Sequence, residues 1–497
     1  MSKYLYGAAV QGIQDFIFQT NELKHIVGAS ELVEQICTSA FDEFGVKDGE
    51  SVVRAAGNIK YVYDNLEDCK KAFRNFPKKI MKLAPGITVS QAVAAFDDDS
   101  RFGNAIDDVE RILKTQRNKA SKSVLAGLMG IKRANNTGLP ATSINKDGTY
   151  LDESTIQKEV YNETRVLCSK SFNHPNLRHE NIAYDIKEIT GKNDWIAIIH
   201  ADGNGLGKIV QKVGKKMNVF SVFSRKLDEA TKAAAHAAYD NLKFAGKIDE
   251  NGIIPIRPVV LSGDDMTVII RGDLAIEYAK VFIEAFERET KRLLSEIITG
   301  NNVFADGKDY LTACAGIAFI KSSYPFYYGY QLAEELCGQA KKDTKALAKE
   351  RGNEDNLPDS CLMFHKVQDS FVTNYDDIVG RELSVKNDGD ETKTPLFKAG
   401  PYYLVSPKAG KPTIEILEKY SKRLNGEEGS GVKSGIRNWI TLRIDGKGKA
   451  AQRKERMIDL FSEKDAETID LLTSEENGIC LAFDVLTYNT IMNQQTK

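Results

Sequence analysis

The chain has 497 residues, 42% hydrophobic and 28% charged, enough for about three or four globular domains. Its formal net charge of −2 leaves no global basic field, so composition gives no support for nonspecific nucleic-acid binding; Lys212, Lys215 and Lys216 read first as a solvated helix face. Seven scattered cysteines without a C-x-x-C pair argue against a disulfide framework and a zinc ribbon, and no zinc is expected.

In chain order, MSKYLYGAAVQG lacks the apolar core of a signal peptide. No later run reaches the roughly 18 apolar residues of a membrane span, so a cytoplasmic protein with no membrane partner is expected. Residues 4–10 read as a strand, followed by helical material. Residues 51–63 form a hairpin with Gly57-Asn58 as its turn signal, 66–83 a helix and 87–96 a strand. Residues 104–190 are polar and mainly helical, then turn-rich around KRANNTGLPATSINKDGTY.

The same order then recurs. Residues 195–201 are a strand running into ADGNGLGKIV, and 258–270 are a hairpin bending at Gly263-Asp264. Leu274, Tyr278, Phe282 and Phe286, then Leu293, Leu294 and Ile297, mark an amphipathic helix, and 311–320 a closing strand. Beyond Tyr324-Pro-Phe326 a further helix presents Ala333, Leu336, Cys337 and Ala340 to the sheet. A charged linker, VKNDGDETKTPLFKAGP, leads to helices over 413–424, 432–442 and 448–461, with a flexible loop at 425–431.

Side by side, AAVQGIQDFIF faces HADGNGLGKIV, RAAGNIKYVY faces LSGDDMTVII, and ITVSQAVAAF faces LTACAGIAFI. This pattern predicts an internal duplication of a β-α-β-β-α-β unit. The expected fold class is α+β: two ferredoxin-like, palm-like domains with helices on one face of an antiparallel sheet, plus helical inter-palm and C-terminal domains. The expected boundaries are 1–103 for a first palm, 104–190 for the inter-palm region, 191–375 for a second palm and 376–497 for the C-terminal domain.

Asp202 stands at the end of a hydrophobic strand, and Asp264 and Asp265 at a hairpin bend. In a palm-like sheet those elements are neighbours, so the three carboxylates converge. Grouped carboxylates repel one another unless a hard cation neutralises them, and Mg²⁺ or Mn²⁺ shares its oxygen ligands between protein and substrate phosphates. Two such ions are expected, as in two-metal phosphoryl transfer. The bland alternative is an ordinary Gly-Asp hairpin turn. ADGNGLGK fails the spacing of both the Walker A loop and the Rossmann fingerprint. Its small residues still suit a phosphate seat at a helix N-terminus over Gly203, Asn204, Gly205 and Leu206. Lys341 or Lys342 can reach a triphosphate, a surface lysine being the alternative. None of the six histidines forms a metal motif, and His200 reads as a residue in or under the sheet.

At these residues the sequence resembles the large subunit of type III CRISPR effector complexes and, more distantly, the GGDEF diguanylate cyclases and class III nucleotide cyclases. That family carries D-G-D-x-x-G and G-G-D-D on its second palm; here the positions read Asp202-Gly-Asn-Gly-Leu-Gly207 and Ser262-Gly-Asp-Asp265. AAVQGIQDFIFQTNELKHIVGASELVEQI resembles the family's first palm, and AEELCGQAK the helix whose lysine holds the triphosphate, which points to Lys341. The resemblance implies an enzyme that binds ATP or another NTP with divalent metal and joins nucleotides into a cyclic oligoadenylate or related signal in antiviral defence. It implies Asp202, Asp264 and Asp265 as metal ligands, with Ser262, Gly263, Lys341 and the 203–206 turn at the nucleotide. It also implies guide or target RNA and type III effector subunits as partners. Gln11 would stand opposite Asp202 and Asn58 near the Asp pair, leaving the first palm without catalytic acids.

The sequence departs from the family at several points. The amino-terminal HD nuclease domain has no counterpart, so DNA cleavage is not expected. Of the inter-palm zinc cysteines only Cys168 lies in the region. Asn204 replaces the second Asp of D-G-D, and Ser262 the first Gly. Two alternatives therefore stand: a catalytically silent scaffold or RNA-binding subunit, and a diguanylate-cyclase-like enzyme, whose Glu-Phe is Asp265-Met266 here.

Overall fold

The computed structural model describes residues 2–46, 49–55, 57–118, 130–190, 194–368, 374–387, 390–408, 410–425 and 429–492. The first unit comprises β1 (Lys3–Gln11), α1 (Leu23–Cys37), β2 (Glu50–Ala55), β3 (Asn58–Tyr63), α2 (Leu66–Leu83), β4 (Thr88–Phe96) and α3 (Phe102–Arg117). Its strands form an antiparallel sheet in the order β2-β3-β1-β4, the ferredoxin-like arrangement. The expected helix at 66–83 is present. Asn65 caps it by accepting from the Glu67 amide, and Cys69, Ala72, Phe76 and Ile80 bury one face at helical spacing. Tyr6 stacks on Phe41 at 5.9 Å, and Phe41 meets Phe76 edge-on at 5.1 Å, closing the core on that side.

The second unit repeats this plan with β5 (Trp195–Gly203), α4 (Leu206–Val213), α5 (Met217–Phe244), β6 (Ile256–Ser262), β7 (Asp265–Arg271), α6 (Ala275–Gly300), β8 (Ala313–Lys321) and α7 (Phe326–Glu350). The core order is β8-β5-β7-β6, again antiparallel. Two strands absent from the sequence reading extend it. β9 (Cys361–Lys366) pairs parallel to β8, and β10 (Tyr402–Tyr403), immediately after the expected linker, pairs with β9.

Helices cover both faces of each sheet, not one as expected. In the second unit, Ile196, Ala197, Ile198 and Ile199 are all fully buried although consecutive residues point to opposite sides. α7 lies on the side of Ile198, whose methyl packs at Gly329, and against Gly316, where a Cβ would sit 1.9 Å from the Ala333 carbonyl oxygen. Only glycine permits that approach. α5 and α6 close the other side. In the first unit α3 takes the place of α7, with Val109 and Leu113 against Gly7 of β1. The start of the expected inter-palm region is thus the last helix of the first repeat.

Strand register aligns the copies. Ala55 pairs with Asn58 and Ser262 with Asp265 at the closed ends of the two hairpins, so Asn58 and Asp265 are equivalent. The first hairpin thus turns one residue earlier than expected, with Asn58 already in β3. Ala9 lies opposite Asn58 and Ser90, while Asp202 lies opposite Cys314 and one step beyond the Ala201–Met266 pair. Gly12, at φ 66°, follows Ala9 by three residues, as Gly205, at φ 83°, follows Asp202, and each precedes a helix. The counterpart of Asp202 is therefore Ala9. The expected Gln11 is two residues too late, although its amide reaches Ser90 Oγ at 3.3 Å.

Candidate active site

Three elements bring the acids together. β5 carries Asp202 to the end of the sheet, and the β6–β7 hairpin places Asp264 in its two-residue turn and Asp265 at the first residue of β7. Gly263 supplies the positive φ of 65° that the turn requires, and Thr231 of α5 donates to its carbonyl. At Gly203 an added Cβ would lie 2.9 Å from both Cβ and Oδ2 of Asp264. A bare strand end there lets Asp264 fold over β5. The result is one oxygen from each of Asp202, Asp264 and Asp265, all within 4.8 Å of one another.

Lys341 of α7 is the one cation built into this cluster among the described residues. It pairs with Asp202 and donates to the Gly203 carbonyl at 2.9 Å, while Lys342 points to solvent. Burial, then Asp265 and Asp202, hold the Asp264 carboxyl well above the usual carboxylate range. Burial, followed by the charge of Asp202, pushes Asp265 up to about 7, with Lys341 opposing. Burial draws Lys341 down, but Asp202 outweighs it and the ammonium is held above its ordinary value. One ammonium leaves three clustered carboxylates under-neutralised, the electrostatic condition that divalent cations relieve.

The turn after β5 divides. Gly205 is the N-terminal cap of α4 and Leu206 its first residue, so the helix starts beside the acids. Asn204, expected at the nucleotide, turns away: its amide donates to the Thr312 carbonyl at 2.7 Å, and its side chain to Thr312 Oγ1 at 3.1 Å and Cys314 Sγ at 3.3 Å. It is 1% exposed and fastens the turn to β8, with neither its N–H nor its amide group left for a phosphate. Ser262 is buried below the hairpin, and Gly263 is half-buried in the turn. His200 lies in the sheet as expected, its Nδ1 3.0 Å from Thr267 Oγ1, and burial lowers it to about 4, so it stays neutral.

Sequence reasoning missed the residues that bring the first unit to this site. Gln14 donates to Tyr330 Oη at 2.9 Å and to Glu334 Oε1 at 3.2 Å, and Phe18 stacks on Tyr330 at 4.6 Å. Glu334 lies seven residues before Lys341, the same face of α7 two turns earlier, a spacing that could have flagged it. Gln14 carried no such signal, because its partners exist only once the units dock. At the equivalent place in the first unit a cavity of about 300 Å³ is lined by Ala9, Gln11, Asn58, Arg111, Lys114 and Arg117, with Glu110, already paired with Lys60 at 2.5 Å, as the acid in its wall. Neither Ala9 nor Asn58 offers a carboxylate there.

Residues 195–349 match the family model of the Cas10/Cmr2 second palm domain. The second unit is a Cas10-like palm. The match covers the strand bearing Asp202, the Asp264-Asp265 hairpin and the helix bearing Lys341. It supports the resemblance to the type III large subunit drawn from the sequence. No curated protein sequence matches the chain. Among solved structures, the Csm1-Csm4 cassette in complex with pppApApA is similar at TM-score 0.56 and 14% identity, over 99% of this chain and 69% of that one. The cassette in complex with cA3 gives 0.55 and 14%, over 99% and 69%. The cassette in complex with cA4 gives 0.54 and 13%, over 99% and 70%. At these identities the likeness establishes the fold, which for this chain includes both palms.

Proposed function

We propose that the second palm is a metal-dependent nucleotidyltransferase that converts ATP or another NTP into a cyclic oligonucleotide second messenger, in CRISPR-type antiviral defence. The observation that carries the reading is the convergence of Asp202, Asp264 and Asp265 at the end of a Cas10-type palm, with Lys341 as their only built-in counter-charge among the described residues. The three acids would hold two Mg²⁺ or Mn²⁺ ions, which supply activation of a ribose hydroxyl and neutralisation of charge on the departing pyrophosphate. The hydroxyl oxygen bonds to the α-phosphorus, the bond from that phosphorus to the β-phosphate bridging oxygen breaks, and the hydroxyl proton leaves to solvent. Lys341 would exchange part of its hold on Asp202 for the triphosphate, and the start of α4 at Gly205–Leu206 would face phosphate oxygens with its amides. The second nucleotide would lie toward the first palm, where Gln14 already reaches α7.

Similar solved chains come from cassettes of Csm1 with Csm4, bound to linear or cyclic adenylates. A Csm4-like subunit and guide or target RNA are accordingly the partners proposed for this chain. Incubating the purified protein with each NTP and Mg²⁺ or Mn²⁺ and identifying products by mass spectrometry tests the reading. A 3′–5′ or 2′–5′ linked cyclic product that disappears in Asp265→Asn is expected. An absence of phosphodiester product under every condition, with copurifying guide RNA, would favour the scaffold alternative.

A further inference from the structure

At the end of the second sheet remote from Asp202, strand register gathers positive charge around one indole. Lys321 of β8 lies opposite Trp195 of β5, and Lys366 of β9 lies opposite Phe319, two residues before Lys321. Trp195, Lys321 and Lys366 therefore project from the same face of three adjacent strands. Both ammonium groups lie 4.4 Å from the Trp195 ring centroid, so they are separated by no more than twice that distance. Arg437, on the helix Gly429–Asp445, adds a third cation close enough to act on Lys366 and on its own neighbour Lys433.

This cluster is unbalanced. Asp194 pairs with Lys321 at 3.0 Å, but none of the described carboxylates forms an ion pair with Lys366. Burial and the neighbouring cations lower the Lys366 ammonium to about 8. The indole face offsets part of this repulsion and leaves the net charge in place. Trp195, Lys321 and Lys366 are only half-buried and Arg437 is exposed, so an incoming anion has access.

We infer that Lys321 and Lys366, both held against Trp195, form a second binding site, distinct from the Asp202 centre, for a phosphate group. That phosphate is carried either by a small anion such as pyrophosphate or by the backbone of single-stranded RNA. Two ammonium groups on adjacent strands suit successive phosphates, and a single phosphate would engage Lys366 and Lys321 together. The site lies at the opposite end of β5 from Asp202, so its occupation does not compete with chemistry there.

The chain contains two tryptophans, and Trp439 is buried at 2% exposure, so Trp195 is a natural reporter. Metal-free full-length protein is titrated with pyrophosphate and, separately, with a ten-nucleotide oligouridylate at constant ionic strength while indole emission is followed. A saturable change is expected, absent in Trp195→Phe and weakened about tenfold in Lys366→Met and in Lys321→Gln, each of which removes one charge–phosphate contact. Lys366→Met keeps an unbranched stem against the indole, and unchanged thermal midpoints for both variants confirm folding. Saturation by pyrophosphate assigns a small-anion site; saturation by RNA alone assigns the strand backbone. An unsaturable response to both ligands, or equal affinity in wild type and both charge variants, would overturn the inference.

Discussion

The Asp triad is a site whose charge state and ligand are coupled. Asp265, pushed up to about 7 by burial and by Asp202, must be deprotonated to ligate a cation. Metal binding should therefore release a proton, and affinity should rise with pH while Asp265 is still protonated in the free protein. Titration with Mn²⁺ between pH 5.5 and 8.5 is expected to show affinity climbing with pH, about tenfold per unit for each proton displaced, with Asp264 releasing its proton as well as Asp265. A pH-independent affinity would contradict the role given to Asp265. Asn204 teaches a related lesson. Its place in the motif suggested a nucleotide contact, yet a short polar side chain after a buried strand is as well suited to bonding the neighbouring strand, and Thr312 and Cys314 were there to receive it. Sequence pattern carries strand ends and turns; it does not carry which way a buried amide faces.

The elements most legible in the sequence are those with a clear period or a sharp turn: α2 with its Asn65 cap, the two hairpins, and the central strands ending at Asp202 and near Lys321. β10 was illegible because two residues, Tyr402 and Tyr403, show no alternation, and it joins the sheet only through β9. That short strand is tied to the helix Ala482–Met492 by a buried acid. Tyr402 Oη donates to Asp484 Oδ2 at 2.8 Å, and burial pushes Asp484 up to about 7. Because its folded pKa exceeds its unfolded one, the native state is favoured at low pH and loses stability as pH rises from about 4 to about 7. Integrated over that window the loss is at most about 4 kcal/mol. Asp484→Asn should remove this dependence while retaining an acceptor for Tyr402, so its thermal midpoint should exceed that of wild type increasingly from pH 5 to about pH 7 and by a constant margin above it. Parallel profiles for the two proteins would show that Asp484 is ionised without penalty.

At the scale of the whole molecule, the two palms pack reciprocally. α1 of the first lies on β6 of the second, and α5 of the second lies on β2 of the first, the pseudo-twofold relation expected of a fused dimer. The short helix Val166–Ser171 fills the seam, where Lys170 bridges Glu34 of α1 at 3.2 Å and Asp228 of α5 at 3.3 Å. All three are largely buried, and removing the lysine leaves Glu34 without this partner and Asp228 with only the more exposed Lys232, 2.7 Å away. Lys170→Met should cost about 1–3 kcal/mol, read as a lowered thermal midpoint that recovers in part with Asp228→Asn. The duplication was visible in the sequence as matched strand and turn segments, but its register was not. A slip of two residues assigned Gln11 to a place that β1–β3 and β1–β4 pairing gives to Ala9. Docking of the palms was invisible for the same physical reason as Gln14: contacts between distant segments leave no local period. In the residue-195–349 palm, by contrast, the acids and Lys341 fall on short, regular elements, and the structure brings all four together.

The most direct test counts the ions that those acids hold. Electron paramagnetic resonance of the full-length protein titrated with Mn²⁺, in the presence of a non-hydrolysable ATP analogue, should reveal two bound ions per chain with mutual spin coupling. Asp265→Asn and Asp202→Asn should each abolish the coupled pair without unfolding the protein. A wild-type protein that binds no Mn²⁺, or a coupled pair that survives both substitutions, would contradict a two-metal centre at Asp202, Asp264 and Asp265.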